Sequence, residues 1–436
     1  MSDREHAVVL GGSITGLAAA QVLSRRFRRV TVVERDSLGA DGAEFRGGVP
    51  QGRQLHLLLR RGQDLLDQLF PGFTAQTLAG GAVMVRWGRD LKWYHFGGWK
   101  RPNDSKFESL FGTRLLIESV VRERLRHTDN IAILDEAKVE GLVVDNGVAR
   151  GVKLDGRGEL VADLVVDATG RESKAPEWWK AAGLTPPVDQ VVNAQLGYST
   201  RVYRRKEHAE SWRGIIIHAT PPEHTRLGAI IPIEGNRWHV VLAGVNEDYP
   251  PTDEAGFNAF VASLASPELA EALDGAEPLG TIYGYRRTAN RLRAYEDVKQ
   301  HLGNFVAVGD AVCAFNPVYA QGMTTGVAGA HLLGECVDAT SLDKLAPHFH
   351  RRLRRMLRVP WFLATSEDFR YPKTEGRAMN GGIAFMQRCI DHVIRRSVVD
   401  RRAYDAFVSI MHMTRGPEAL LMPSAIWGAL GPAPRV

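Results

Sequence analysis

Cysteine is scarce: Cys313, Cys336 and Cys389 are the only three in 436 residues, far apart and without a CxxC pair. An odd, scattered set excludes a disulfide framework and offers no zinc site. Long apolar runs are missing too. The greasiest pieces, Gly214–Ala219 and Ala229–Ile233, are strand-sized, well short of the roughly 18 apolar residues a bilayer span needs. No GxxxxGK[ST] loop or HExxH pair occurs, which excludes nucleotide hydrolysis of the P-loop kind and zinc-protease chemistry. The net charge of +5 and pI near 9.1 have no dedicated basic tract behind them, so nucleic acid is not an expected partner. The densest run, Arg351, Arg352, Arg354, Arg355 and Arg358, places positions 351, 354, 355 and 358 on one helix face opposite Phe349, Leu353 and Met356. That is an amphipathic helix with a solvated basic face; peripheral contact with a membrane surface is its alternative. The first residues carry charge of both signs and no small-residue cleavage site, which reads as cytoplasmic.

What is present is an ordinary globular composition, 44% hydrophobic, 8% aromatic and 24% charged. The apolar run Ala7–Leu10 reads as a buried strand and stops at Gly11-Gly12-Ser13-Ile14-Thr15-Gly16. Ile14, Leu17, Ala18 and Val22 then follow at helical spacing, and Val30–Val33 is a second buried strand ending on Glu34. This βαβ opening suits a dinucleotide. Glycines let the chain turn tightly, the helix N-terminus aims free N–H groups at a pyrophosphate, and an acid 18 residues beyond Gly16 can accept from ribose hydroxyls. In GxGxxG register the second glycine is Ser13. The same turn falls short of a nucleophile elbow because Thr15 stands where the closing glycine belongs.

Two further signals lie downstream. Ala162–Asp167 is an apolar strand running into Ala168-Thr169-Gly170, and Phe305–Val308 runs into Gly309-Asp310. After Pro317, Gln321-Gly322-Met323 opens a helix in which Gly326, Val327, Ala330, Gly334 and Val337 recur at helical spacing, a face of small residues suited to close packing.

In this order these motifs resemble the class A flavin monooxygenases of the aromatic-hydroxylase and squalene-epoxidase type. Gly48-Val49-Pro50-Gln51-Gly52-Arg53, Gly309–Cys313 and Asn316–Tyr319 through Gln321–Met323 resemble the bacterial polyether polyene epoxidase branch. The resemblance implies an α/β fold: a Rossmann-like FAD-binding domain of the glutathione-reductase and p-hydroxybenzoate-hydroxylase type, an inserted, mainly antiparallel substrate sheet and a C-terminal helical region. It implies that Gly11, Gly12, Ser13, Gly16, Glu34 and Arg35 hold the ADP half of FAD. Arg46 would reach the pyrophosphate, Arg114 and Val139 would contact the cofactor, and Asp310 beside Gly309 would hold the ribityl chain. The middle motif usually reads Asp-Gly, for flavin and nicotinamide contacts, and here it is Thr169-Gly170.

The resemblance further implies that the chemistry is the flavin's. Reduced FAD would form a C4a-hydroperoxide with O2, and its distal oxygen would pass to an alkene or ring in a lipophilic polyene, polyketide or terpenoid. Electrons would come from NAD(P)H or a separate flavin reductase. Pro317 would fix the loop facing the flavin, and the N–H groups of Gly322 and Met323 would face its N1–C2=O edge. No protein side chain is expected to be catalytic and no metal is expected. A dry cavity is required, and the aromatic stretch of Trp87, Trp93, Tyr94, Phe96 and Trp99 suggests its walls, with Trp93, Phe96, Trp99 and Tyr319 as candidate substrate contacts.

Residues 1–75, 110–190 and 285–345 are expected to form the cofactor domain, 76–109 and 191–284 the substrate sheet, with strands at Gly197–Val202, Gly214–His218, Leu227–Pro232 and Trp238–Ala243. Residues 346–436 read as helices broken at Pro360, Pro372 and Pro417, and the apolar Leu420–Pro423 and Ala425–Trp427 as a cavity cap. A halogenase is disfavoured because Ile233–Trp238 lacks WxWxIP. A prenyl-reducing flavoenzyme of the geranylgeranyl-reductase kind is the main alternative, and a flavin-binding regulator the non-enzymatic one.

Overall fold

The fold is that of a computed structural model describing residues 4–39, 45–206, 212–376 and 383–418. Short runs rich in β-branched residues assemble into a five-stranded parallel sheet. Its order is Phe305–Ala307, Leu164–Asp167, His6–Leu10, Arg29–Val33 and Ile131–Leu134. Ala7 to Leu10, Leu164 to Val166 and Phe305 to Ala307 are fully buried, as strands covered on both faces must be. The register brings the strand ends level: Leu10 lies beside both Val33 and Asp167, and Asp167 beside Ala307. Gly11, Glu34, Ala168 and Val308 therefore leave the sheet at one edge.

Helix Ile14–Ser24 covers one face of this sheet and packs on helix Gly322–Ala339. The small-residue face permits the approach: a Cβ at Gly326 would lie 2.1 Å from Thr15 Oγ1, and one at Gly334 2.5 Å from Val22 Cγ1.

A second sheet has seven strands in the order Pro278–Tyr285, Gly197–Arg204, Arg237–Gly244, Arg226–Ile233, Gly214–Ile217, Leu91–His95 and Gly98–Trp99. Every pairing is antiparallel except that of Gly214–Ile217 with Leu91–His95. One face buries Phe257, Phe260 and Leu269 from two short helices. The other carries Trp93, Ile231 and Ile233 against Phe111 and against Tyr404 and Val408 of helix Arg401–Met411. Val83–Arg86 does not join the sheet; it pairs with Glu108–Phe111 in a ribbon of its own.

Pro360 does not break its helix as expected. Helix Leu342–Asp368 runs unbroken through Pro347 and Pro360. A proline inside a helix forfeits one backbone hydrogen bond, but Phe349, Leu353, Leu357, Trp361 and Ala364 are buried along this helix, and their packing outweighs it. Arg351, Arg355 and Arg358 face solvent, while Arg354 pairs with Glu296 at 2.8 Å. Among the described residues no helix is long and apolar enough to cross a membrane. The apolar tail expected to cap the cavity lies outside the described residues.

Candidate functional site

The turn after the first strand is built by what its glycines lack. Gly11 has φ +103°, and a Cβ there would lie 2.6 Å from Ala168 O; one at Gly16 would lie 1.9 Å from Gly11 O. Gly309, at φ +66°, comes equally close, with its Cβ position 2.8 Å from Thr15 Cγ2. Three chain segments thus meet at backbone contact. Ser13 caps the helix by position, but its hydroxyl does not bond the first turn. It donates to Glu118 Oε2 and accepts from Arg114 Nη2, each at 2.8 Å. The first-turn N–H groups have no intrahelical acceptor, and Ser13, Ile14 and Thr15 border a cavity of about 520 Å³.

Behind the turn lies a buried ion network. Glu34, 7% exposed, accepts from Gly12 N at 2.7 Å, Asp36 N at 3.0 Å and Arg46 Nη1 at 2.9 Å. Arg46 also pairs with Glu118, whose carboxylate faces Arg114 at 3.7 Å and Arg122 at 3.3 Å. Arg114, Glu118 and Arg122 stand at i, i+4 and i+8 on helix Arg114–Arg126, sharing one face. Glu118 is absent from the sequence-derived site; the RxxxExxxR spacing was its signal.

On the same cavity, the carboxylate of Asp310 receives no hydrogen bond from any described residue. Loss of water around its carboxyl raises its pKa, against the pull of Arg171, Arg114 and Arg291. The Cβ position of Gly322 is 3.6 Å from Asp310 Oδ1. Thr169 is set by Asp167, which accepts from its N at 3.0 Å and its Oγ1 at 2.6 Å.

The intervening loop is pinned at several points. Asn316 N donates to Asn290 Oδ1 at 2.7 Å, Val318 N donates to Asn316 Oδ1 at 3.1 Å, and Ala320 is left-handed at φ +54°. Asp368, from the far end of the long helix, accepts from Asn290 at 2.6 Å, Asn316 at 3.2 Å and Tyr319 OH at 2.9 Å. With three neutral donors and no cation, burial pushes its carboxyl up to about 7. No motif signalled this residue.

Of the candidates, Ser13, Arg35, Arg114, Thr169, Gly170, Asp310, Pro317, Tyr319, Gly322, Met323 and Trp93 line the one cavity. Gly11, Gly12, Gly16, Glu34, Arg46 and Gly309 form the turn and the network behind it. Val139 is not brought in; it begins a strand of a separate three-stranded sheet and packs against the main core. Phe96 and Trp99 also stay outside the cavity. Alternation along Leu91–His95 turns Trp93 and His95 to the cavity and Tyr94 to the other face, where Trp99 meets it edge-on at 5.3 Å. Phe96 has left the strand at φ +51° and packs against Arg395. Trp87, Phe111, Ile216, His218 and Phe407 complete that end.

Residues 4–340 match the FAD binding domain family. The chain belongs to this family of FAD-binding proteins. Protein Rv3254 of Mycobacterium tuberculosis is 32% identical over 392 residues, covering 85% of this chain and 81% of that protein. A putative polyketide hydroxylase of Streptomyces coelicolor is 23% identical over 361 residues, covering 76% of this chain and 52% of its own length. Among solved structures, pqsL, a probable FAD-dependent monooxygenase from Pseudomonas aeruginosa, superposes with a TM-score of 0.62 at 18% identity, covering 84% of this chain and 98% of that one. The fold of this flavoprotein is that of class A flavin monooxygenases. Its site suits FAD on two counts: helix N–H groups open onto the cavity beside Ser13, and the Asp310 carboxylate on the same cavity has acceptor capacity that no described residue uses.

Proposed function

We propose that this flavoprotein is an FAD-dependent monooxygenase, adding one oxygen atom by epoxidation or hydroxylation to a lipophilic polyene, polyketide or terpenoid. The observation that carries the reading is the shared strand edge. It sets the Gly11–Gly16 turn and Asp310 against one cavity whose far walls are Trp93, Phe111, Ile216 and Phe407. Bound FAD supplies the two-electron activation of O2, one oxygen going to substrate and the other leaving as water, at the expense of NAD(P)H used directly or through a reductase.

The chain's part is to hold and to exclude. The N-terminus of helix Ile14–Ser24 and Arg114 would receive the pyrophosphate, and Asp310 would accept from the ribityl hydroxyls. Glu34 retains room for one more donor beyond its three, which suits a ribose hydroxyl. Glu118 holds Arg46 and Arg114 against the turn. The N–H groups of Gly322 and Met323, opening an 18-residue helix, would face negative charge on the reduced cofactor. The apolar walls would keep water from the reacting centre. In this reading residues 1–75, 110–190 and 285–345 form the cofactor domain, 76–109 and 191–284 the substrate domain and 346–436 a helical region. Placement in the polyene epoxidase branch rests on the Gly48–Arg53, Gly309–Cys313 and Asn316–Met323 motifs alone.

Two measurements test this. Asp310→Ala should purify colourless and Arg46→Ala should retain FAD about tenfold more weakly; if both are fully yellow, the site is misassigned. With NADPH, or with a flavin reductase, and a lipophilic polyene or polycyclic ketone, oxygen uptake should accompany substrate loss. Reduction of an alkene without oxygen uptake would favour the prenyl-reductase alternative.

A further inference from the structure

At the end of the cavity remote from the glycine turn, His95 and His218 make a polar spot in an apolar wall. Tyr94 pairs with Ile217 in the parallel ladder, so the two histidines are the next rung, and His218 N donates to Tyr94 O at 3.0 Å. Their rings stack with centroids 4.6 Å apart at 25°, and both line the cavity. Among the described residues neither ring has a hydrogen-bond partner, and His95 Nδ1 is fully buried and unpaired. Trp93 and Phe407 flank the His95 ring, each with its centroid 6.2 Å away.

The charges around the pair have one sign. Burial lowers the pKa of His95 well below its usual value, helped by His218, Lys100, Arg370 and Arg395, and lowers that of His218 to about 4, helped by Lys100. The acids of the same cavity are engaged elsewhere: Glu367 lies 3.1 Å from Arg370, and Asp368 is held by Asn290, Asn316 and Tyr319. Both rings are therefore neutral, each offering one N–H donor and one bare nitrogen. A hydrocarbon seated here would leave those atoms buried without partners, which is costly. An ammonium would meet Lys100 and Arg395, and Arg370 beyond them is already paired with Glu367 and Asp391. An oxygen function on an apolar skeleton satisfies both constraints.

We propose that His95 and His218 are a substrate-anchoring site that accepts a hydroxyl or carbonyl oxygen of an otherwise apolar, flat molecule and so fixes which end of it points away from the flavin. The inference rests on the monooxygenase reading for its orientation, but its binding chemistry can be measured without turnover.

The test is equilibrium dialysis of the FAD-loaded protein with 2-naphthol and with naphthalene, one skeleton with and without the oxygen. Wild type should bind 2-naphthol about tenfold more tightly, the scale of one or two buried hydrogen bonds. His218→Phe and His95→Phe should reduce that ratio below about twofold, whereas His218→Gln, which keeps a donor and an acceptor, should retain most of it. Flavin content reports whether each variant folds, and the wild-type ratio decides the question if one does not. Equal binding of the two probes by wild type, or an undiminished ratio in His218→Phe, overturns the anchoring role and leaves the monooxygenase reading intact. Binding of neither probe overturns the anchor and the apolar substrate cavity together.

Discussion

The glycine turn and the far end of the cavity are built by opposite means. At the turn, function depends on missing side chains: Gly11, Gly16, Gly309 and Gly326 let backbone and helix approach until one added carbon would collide. At the cavity end it depends on large side chains, Trp93, Phe111 and Phe407, and on ionisable groups deprived of water. The first region cannot absorb an atom. The second can absorb changes of size but is sensitive to charge.

Gly16→Ala would break the comparison most sharply. Its Cβ would stand 1.9 Å from Gly11 O, backbone that has nowhere to move, and overpacking of this kind costs about 3 kcal/mol or more. The expected outcome is loss of folded, flavin-loaded protein, and a variant that purifies yellow with wild-type urea stability would refute the close-packed turn.

Acid should expose the ionisable groups deprived of water, at the cavity end and elsewhere in the core. Burial lowers the pKa of His56, His350 and His412 to about 3 and of His218 and His239 to about 4. Unfolded, each takes up a proton near 6.5, so the stability they contribute is whole above that pH and is lost as pH falls toward their folded values. Glu367 and Asp368, raised to about 7, act in the opposite sense, their contribution present below the usual carboxylate range and lost as pH rises through 7. The histidines lowered by burial, His95 among them, outnumber the acids it raises, Asp310 included, and this predicts a net loss on acidification, a melting temperature lower by about 10 °C at pH 4.5 than at pH 7.5. A flat profile between those pH values would contradict it.

The smallest effect separates two tryptophans six residues apart. Trp93→Leu should weaken 2-naphthol binding about fivefold, because it removes cavity wall. Trp99→Leu, on the other face of the sheet, should change it less than twofold. Equal effects would mean that the strand's facing is misread.

Much of the turn region was legible because its determinants are local. A strand, a glycine turn, a helix and an acid are readable within thirty residues, and Gly309-Asp310 repeats the same grammar. The cavity was legible only in outline. The aromatic segment announced apolar walls, but Phe96 and Trp99 were misplaced, since a two-residue periodicity tells which residues share a face and not which face the cavity takes. His218 and Asp368 carried no motif, and Glu118 only the RxxxExxxR spacing of its helix. Asp368 meets Asn290, Asn316 and Tyr319 only because the long helix ignores Pro360 and delivers its last turn to the loop.

What the sequence alone determined is the buried strand runs, the glycine turn and the small-residue helix face, for these follow from backbone sterics and periodicity over short spans. Only the tertiary structure decided that Asp310, some three hundred residues after the turn, lines one cavity with it, and that two histidines share a rung with no hydrogen-bond partner for either ring among the described residues. Strand order, register and facing are set by long-range pairing, and the state of a buried ionisable group depends on neighbours from every part of the chain.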